Sequence, residues 1–215
     1  MSTSTAISAQ GTKFQVAGTP GSALTITAIT KAVDAVVTAT NTLAAGDVVV
    51  FGAVTGMPEI NGRVGVVISA TGTAATVDID SSNFAAVGTT GTATPYAAST
   101  WVTVNNVKSY SGFDGSKSEI DVTHLLSDAK EYVPGLEDFG QFSAEMDVDT
   151  TDAGQLALRA NKTSNASTFF RLVLSNAKVL AWKGFVKKFS DAAGVDATYK
   201  ASADIRITGV VARSF

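Results

Sequence analysis

The sequence contains no cysteine and only one histidine among its 215 residues. The absence of cysteine excludes disulfide bonds and thiolate metal sites, and it fits a protein made in a reducing compartment such as a bacterial cytoplasm. The single histidine, His124, cannot build a multi-histidine metal site or a pair of imidazoles. It could still be one catalytic base, but a polar loop residue is the more ordinary interpretation.

Charged residues are scarce as well. They make up 16% of the chain, whereas typical soluble domains carry roughly 25%. A surface rich in Ala, Thr, Ser and Gly can be buried against partners at little desolvation cost, which favours an interacting protein. A neutral Thr/Ser surface on a monomeric β-protein is the alternative. The net charge of −3 argues against tight phosphate binding, which needs clustered Lys and Arg.

Long apolar runs are also missing. No run approaches the roughly 18 residues that a membrane-spanning helix requires. The first residues, MSTSTAISAQGTK, lack the basic and apolar regions of a signal peptide. We therefore expect no membrane association and a protein that is cytoplasmic when it is made.

Short β-runs separated by glycine turns dominate what is present. GTKFQVA (11–17) predicts a first strand, and TWVTVNNVKSY (100–110) continues the same alternation as one further strand. The intervening residues are rich in Thr, Ala and Val. We predict a discontinuous core domain, residues 1–19 and 100–215, with a small all-β domain inserted at residues 20–99. Two sequential domains behind a short N-terminal arm are the alternative.

One short helix is predicted at about residues 150–162. Ala153, Leu156, Ala157 and Ala160 form a narrow apolar stripe, and so short a helix must pack on a sheet. An alternating strand, FSAEMDV, precedes the helix, and three or four strands follow it. The predicted fold class is therefore mainly β: an antiparallel β-sandwich or barrel with one flanking helix and a small inserted all-β domain.

The segment from 117 to 149 is the most informative part of the chain. It combines an acidic strand, a polar turn, apolar residues around Pro134 and Gly135, and a second alternating strand. This order has no catalytic logic, and it suits a hairpin that assembles with other subunits.

These residues resemble a known family. GTKFQVA, WVTVNNVKSY and SEIDVTHLLSDAKEYVPGLEDFGQFSAEMDVD look like the N-terminal half of the major tail tube proteins of long-tailed, siphophage-type bacteriophages. WKGFVKKFSDAAGVDATYKASADIRITGVV is similar to the closing strands of that family. The inserted domain departs from the pattern. It resembles a small β-module of other phage tail proteins that is likened to the FCCH half-domain of ubiquitin-activating enzymes.

The resemblance implies a structural virion protein that polymerises as stacked hexameric rings into the hollow tail tube. DNA would pass through this tube without specific binding, and the inserted domain would decorate its outside. The implied partners are other copies of the chain and the tape measure, tail terminator and tail tip proteins. Assembly would take place in the host bacterial cytoplasm, and no cofactor or metal is expected.

Two sets of residues gain a role from this resemblance. The first is the inter-subunit assembly loop, made of Leu125, Leu126, Tyr132, Val133, Pro134, Gly135 and Leu136. We expect these residues to order against neighbouring subunits; the alternative is an ordinary long hairpin packed on its own domain. The second is a set of candidate lumen carboxylates, Glu145, Asp147 and Asp204, because a negative lumen repels phosphate. The sequence does not fix which strand face looks inward.

Functions from other classes have less support. The chain has no Gly-x-Ser-x-Gly elbow, no Walker A loop and no His-Glu-x-x-His. Carboxylate pairs such as Glu119/Asp121 are better explained as solvated edge charges than as a glycosidase pair. We therefore predict that the protein is not an enzyme. A virion decoration or adhesin-type β-rich binding protein is the alternative function, although residues 22–99 lack the clustered aromatics of a glycan site.

Overall fold

The structure, a computed structural model, describes residues 6–86 and 88–215. The first five residues of the predicted core segment 1–19 lie outside this part of the chain. The strands are β1 (Lys13–Ala17), β2 (Leu24–Ile26), β3 (Ala28–Ile29), β4 (Val36–Thr38), β5 (Val48–Thr55), β6 (Val64–Ala70), β7 (Ala74–Val77), β8 (Thr90–Tyr96), β9 (Trp101–Thr103), β10 (Val107–Gly112), β11 (Ser116–Asp121), β12 (Tyr132–Asp138), β13 (Gln141–Asp147), β14 (Thr168–Val173), β15 (Val179–Ala192), β16 (Lys200–Ile207) and β17 (Ala212–Arg213). The helix α1 (Ala153–Ser164) lies between β13 and β14.

The strands form three antiparallel sheets. The main sheet has eight strands in the order β10-β13-β16-β15-β14-β1-β9, with β17 paired to β15. The second sheet has seven strands in the order β2-β8-β5-β6-β7-β4-β3, and β11 with β12 forms a separate two-stranded hairpin. The second sheet is nearly closed into a barrel, because the Ile29–Gly88 bridge brings β3 back beside the residues that precede β8. The predicted fold class, mainly β with one helix, is therefore confirmed.

An aromatic cluster fills the inside of the main sheet. Trp182 is 0% exposed, and its ring centroid lies 4.9 Å from that of Phe142 and 5.0 Å from that of Phe113. Phe14 and Phe170 stack nearby at 6.4 and 6.0 Å. Aromatic pairs at these separations stabilise a core beyond their buried area.

The two large sheets share a second apolar cluster. Val48, Val66 and Tyr96 of the second sheet belong to it, as do Trp101 and Ala181 of the main sheet. This cluster is separate from the aromatic one, so the second sheet packs on the outer face of the main sheet around β9, β14 and β15. The shared burial of apolar surface holds the two sheets together.

A buried polar junction adds to this contact. The Ala98 N–H donates to Asp47 Oδ1 at 3.1 Å, and Arg171 Nη2 donates to the Ala98 carbonyl at 3.4 Å. Arg171 also donates to Gln15 Oε1 at 2.7 Å and lies over the Trp101 ring at 4.6 Å. Ala98 therefore connects a carboxylate of the second sheet to a buried guanidinium of the main sheet, and each charge has partners.

The helix starts later than the sequence predicts. Its N-cap is Asp152, whose Oδ1 accepts the Gln155 N–H at 2.8 Å and whose Oδ2 accepts Asn105 Nδ2 at 2.6 Å. Because one carboxylate both caps the helix and bonds the β9–β10 connection, the helix start is fixed against the sheet. The helix ends at Ser164, and the C-cap residue Asn165 adopts a left-handed conformation.

The predicted apolar stripe of the helix is wrong. The buried residues are Gly154, Gln155 and Leu158, whereas of the predicted stripe only Ala157 is partly buried. A Cβ on Gly154 would lie 2.3 Å from the Thr103 carbonyl oxygen, so only glycine allows this approach. Gln155 Nε2 donates to the Asp147 and Asn105 carbonyls at 2.9 and 3.2 Å, which satisfies a polar side chain on the buried face.

The prediction of one strand across residues 100–110 is also wrong. The segment contains two strands, β9 and β10, which pair with β1 and β13 respectively. Asn106 separates them at φ 61°, a left-handed conformation that asparagine tolerates better than most residues. The break carries the chain from one edge of the main sheet to the other.

A partly buried carboxylate joins β17 to the second sheet and makes stability depend on pH. Asp78 accepts the Val66 N–H at 2.6 Å and also the Arg213 N–H. Burial raises the pKa of Asp78 from 3.8 to about 6 against these two hydrogen bonds, and the charge of Asp34 adds to the rise. The folded state therefore holds this proton to a higher pH than the unfolded chain does.

We expect this group to lower the free energy of unfolding as the pH rises from about 4 to about 6 and to change nothing above that range. The interval between 3.8 and about 6 corresponds to roughly 3 kcal/mol. Urea unfolding of the wild type and of Asp78→Asn at several pH values checks this, because the difference between the two proteins isolates one carboxyl. A difference that stays constant from pH 4 to pH 7 would contradict the expectation.

Candidate assembly surfaces

The hairpin of β11 and β12 stands apart from both large sheets. Residues 116–138, called the assembly hairpin below, pair only with each other, with Ile120 opposite Val133 and Asp121 opposite Tyr132. Every residue of the assembly hairpin is exposed except Ser127 and Gly135, which are partly buried. A two-stranded hairpin is marginal in water without a surface to cover it.

The predicted assembly-loop residues all lie on this hairpin. Leu125 and Leu126 occupy the connection between the strands, and Tyr132, Val133, Pro134, Gly135 and Leu136 lie on β12. Leu125 is fully exposed, Leu126 is 89% exposed and Leu136 is 88% exposed. Large exposed apolar side chains grouped in this way mark an interaction surface.

Sequence reasoning missed two apolar residues of the same surface. Ile120 and Val122 are exposed and lie on β11 and just after it. Their alternation with Glu119 and Asp121 was a signal that could have identified them.

The root of the hairpin is held firmly. Arg206 of β16 forms an ion pair with Asp138 at 2.5 Å, and the Gly140 N–H donates to Asp138 at 2.8 Å. The Gly140 hydrogen bond and Arg206 hold the pKa of Asp138 below its usual range. Gly112 has φ 133°, and a Cβ there would lie 2.2 Å from the Gln141 carbonyl oxygen. The direction in which the hairpin leaves the main sheet is therefore set by backbone geometry.

The turn of the hairpin is closed by His124. Its Nδ1 accepts the Leu126 N–H at 3.1 Å, and its carbonyl accepts the Ser127 N–H at 2.9 Å. Its Nε2 lies 4.0 Å from Glu131, and the side chain is exposed. His124 is a polar loop residue whose hydrogen bonds present Leu125 and Leu126 to solvent.

The three candidate lumen carboxylates lie on one face of the main sheet. Glu145 is opposite Ser202, Asp147 is opposite Lys200, and Asp204 is opposite Ser143. The buried residues alternate with them along β13 and β16, so this face points away from the aromatic core. The structure brings together what the sequence placed on two distant strands.

This face carries positive charge as well. Lys108 lies 2.9 Å from Asp147, and together with Thr198 it holds the pKa of Asp147 below its usual range. Lys188 is opposite Asp204, whose Oδ1 accepts the Ser143 hydroxyl at 2.7 Å. The face is polar with both signs of charge.

Within residues 6–86 and 88–215, no group of three His, Asp or Glu side chains is placed to bind a metal ion. The helix of this part of the chain is too short and too polar to cross a membrane.

Comparisons with known proteins give one family match and several structural neighbours. Residues 84–181 match the family described as "Phage tail tube, TTP, lambda-like". A chain in the virion of a native gene transfer agent particle is similar in structure at 12% identity and a TM-score of 0.46, covering 53% of this chain and 88% of that one. A chain of the SPP1 tail tube is similar at 13% identity and a TM-score of 0.44, covering 51% and 65%. No curated protein matches the chain.

The matched residues run from just before β8 to the first residues of β15, and they include the assembly hairpin and α1. The family match covers 98 of the 215 residues and indicates a structural component of a phage tail tube.

Proposed function

We propose that six copies of this chain form a ring and that the rings stack into the hollow tube through which DNA leaves the virion. The observation that carries this proposal is the assembly hairpin, 23 residues exposed almost throughout, with leucines that the subunit itself leaves uncovered. Obligate interfaces of this kind bury roughly 2,000 Å² or more, which would cover such a surface. Stacked rings need a head-to-tail contact, the type that propagates as a filament.

Ring formation would join two unpaired strand edges of the main sheet, one on β10 and one on β15. Among the described residues, β10 pairs only with β13. β14 pairs with residues 179–184 of β15, so residues 185–192 have a strand partner on one side only, which is β16. β10 and β15 run in opposite directions, since β13 and β16 lie between them in an antiparallel sheet. A rotation axis roughly along the strands therefore brings β10 of one copy antiparallel to β15 of the next. Closure of this kind removes both exposed edges.

The polar face of Glu145, Asp147 and Asp204 lines the lumen in this arrangement. The opposite face of these strands is filled by the aromatic core, and the outer face around β14 is covered by the second sheet. A wall of serines and balanced charges offers DNA no clustered cations to bind, so the nucleic acid passes without specific contact.

Residues 20–99 are an inserted domain on the outside of the tube. The second sheet uses only strands β2 to β8, while β1 and β9 on either side of it pair with each other in the main sheet. The insertion packs on the face remote from the proposed lumen face. The likeness of this domain to the FCCH module stays a prediction, as do contacts with tape measure, terminator and tip proteins and assembly in the host cytoplasm.

Sedimentation velocity over a range of protein concentrations tests the polymer. We expect a slowly sedimenting subunit at low concentration and large, heterogeneous polymers above a threshold, because a filament with repeated contacts grows cooperatively. A variant in which residues 122–131 are replaced by Asn-Gly keeps the strands of the hairpin and should remain a subunit. A shortened variant that polymerises like the wild type would contradict the role of the hairpin, and a wild type that stays a subunit throughout would contradict the polymer.

A further inference from the structure

The assembly hairpin is strongly acidic compared with the rest of the chain. Between 116 and 138 it contains six carboxylates and two lysines, a net charge of −4, whereas the whole chain carries −3. The lysines are already engaged, with Lys117 3.9 Å from Glu137 and Lys130 3.9 Å from Asp121. Glu119 forms no ion pair with any residue that the structure describes. The hairpin therefore presents uncompensated negative charge beside its exposed leucines.

A basic strip of the same molecule lies on β15. Residues 178–190, KVLAWKGFVKKFS, contain four lysines and no carboxylate. Lys187 and Lys188 are adjacent and exposed, and neither forms an ion pair within the described part of the chain. A register shift between Val186 and Lys188 interrupts the pairing with β16 at this point. Lys187 thus lies at the start of the unpaired edge of β15, and Lys188 lies next to it on the face that carries Asp204.

Strand direction places these two surfaces together in neighbouring copies. β10 ends at Gly112, beside the root of the hairpin. Gly112 pairs with Phe142, and through Ile205 of β16 this row of the sheet reaches Val186 of β15. When β10 of one copy lies antiparallel to residues 185–192 of the next, its Gly112 end comes level with the Lys187 end. The acidic hairpin then leaves the sheet directly beside the two lysines.

We propose that the acidic assembly hairpin of one copy docks on Lys187 and Lys188 at the free edge of β15 in a second copy. This inference rests on the proposed polymer and names the surface that receives the hairpin. Charge complementarity across an interface fixes its register and accelerates association, and it is weakened by salt. The leucines supply the apolar contact, and the charges select the correct neighbour.

Charge reversal with reciprocal rescue tests the pairing. In Lys187→Glu with Lys188→Glu, we expect the threshold concentration for polymerisation to rise about tenfold or more, since like charges then face each other. Adding Glu119→Lys and Glu137→Lys should bring the threshold back close to the wild-type value. Lys13→Glu with Lys31→Glu changes the net charge equally at exposed sites elsewhere and should leave the threshold unchanged.

The outcomes separate this inference from the proposed function. Polymerisation of the wild type with no effect of the Lys187/Lys188 reversal, or a reversal that the hairpin variants do not rescue, would overturn the docking and leave the polymer intact. A wild type that never polymerises would overturn both. Thermal melts of each variant subunit check folding, and because all four reversed side chains are exposed, we expect unchanged melting temperatures.

Discussion

Replacing Leu126 by Asp is expected to abolish polymerisation and to leave the melting temperature of the subunit unchanged. Leu126 is 89% exposed and belongs to neither large core, so the subunit loses no packing. In the proposed polymer the same position would be buried against another copy, where an unpaired carboxylate costs several kcal/mol. Because each 1.4 kcal/mol is a factor of ten, the threshold concentration should rise by roughly 100-fold or more.

Sedimentation velocity and thermal unfolding of the same sample measure the two halves of this prediction. Val33→Asp is the matched control, since Val33 is 68% exposed but lies in the insertion, away from the hairpin. The control should polymerise like the wild type. A large loss of subunit stability in Leu126→Asp would show instead that the hairpin packs on its own domain, which is the alternative that the sequence left open.

Replacing Trp182 by Ala is expected to lower the free energy of unfolding by about 3 to 5 kcal/mol. The side chain is 0% exposed and contacts Phe14, Phe113, Phe142 and Phe170, so its removal leaves a cavity at the centre of the aromatic cluster. These four aromatic residues come from different parts of the main sheet and its connections. They cannot all move inward to fill the space.

The matched control is Trp182→Phe. Trp182 Nε1 is buried without a hydrogen-bond partner, so the phenylalanine variant removes an unpaired donor along with part of the ring. We expect Trp182→Phe to lower the free energy of unfolding, measured by equilibrium urea unfolding, by under about 2 kcal/mol, which is clearly less than the alanine variant does. Equal losses for the two variants, or a loss under about 1 kcal/mol for alanine, would contradict the central place of this residue.

The sequence predicted best those elements whose burial alternates in a simple way. In β13, Phe142, Ala144 and Met146 are buried as the alternation of FSAEMDV predicts. β8 was not identified, because TGTATPY has glycine, proline and threonines instead of a regular apolar face. Tertiary contacts with β2 and β5 make it a strand. The helix face was misassigned because its closest contact uses a glycine and a glutamine, which a search for apolar periodicity does not find.

The candidate assembly surfaces show the same contrast between what local sequence patterns predict and what depends on tertiary structure. The apolar residues of the assembly hairpin could be named from the sequence, since leucines next to Pro134 and Gly135 in a polar segment have no obvious cover. The position of Asp204 beside Ser143 depends on strand register, and the free edge beside Lys187 and Lys188 depends on strand order. Neither is encoded in local periodicity.

Electron microscopy of the concentrated protein would show the polymer itself. We expect hollow tubes built from stacked rings of six subunits, with the inserted domains as knobs on the outside and the assembly hairpins buried between copies. Solid fibres, or tubes in which the hairpins project freely into solvent, would contradict this expectation.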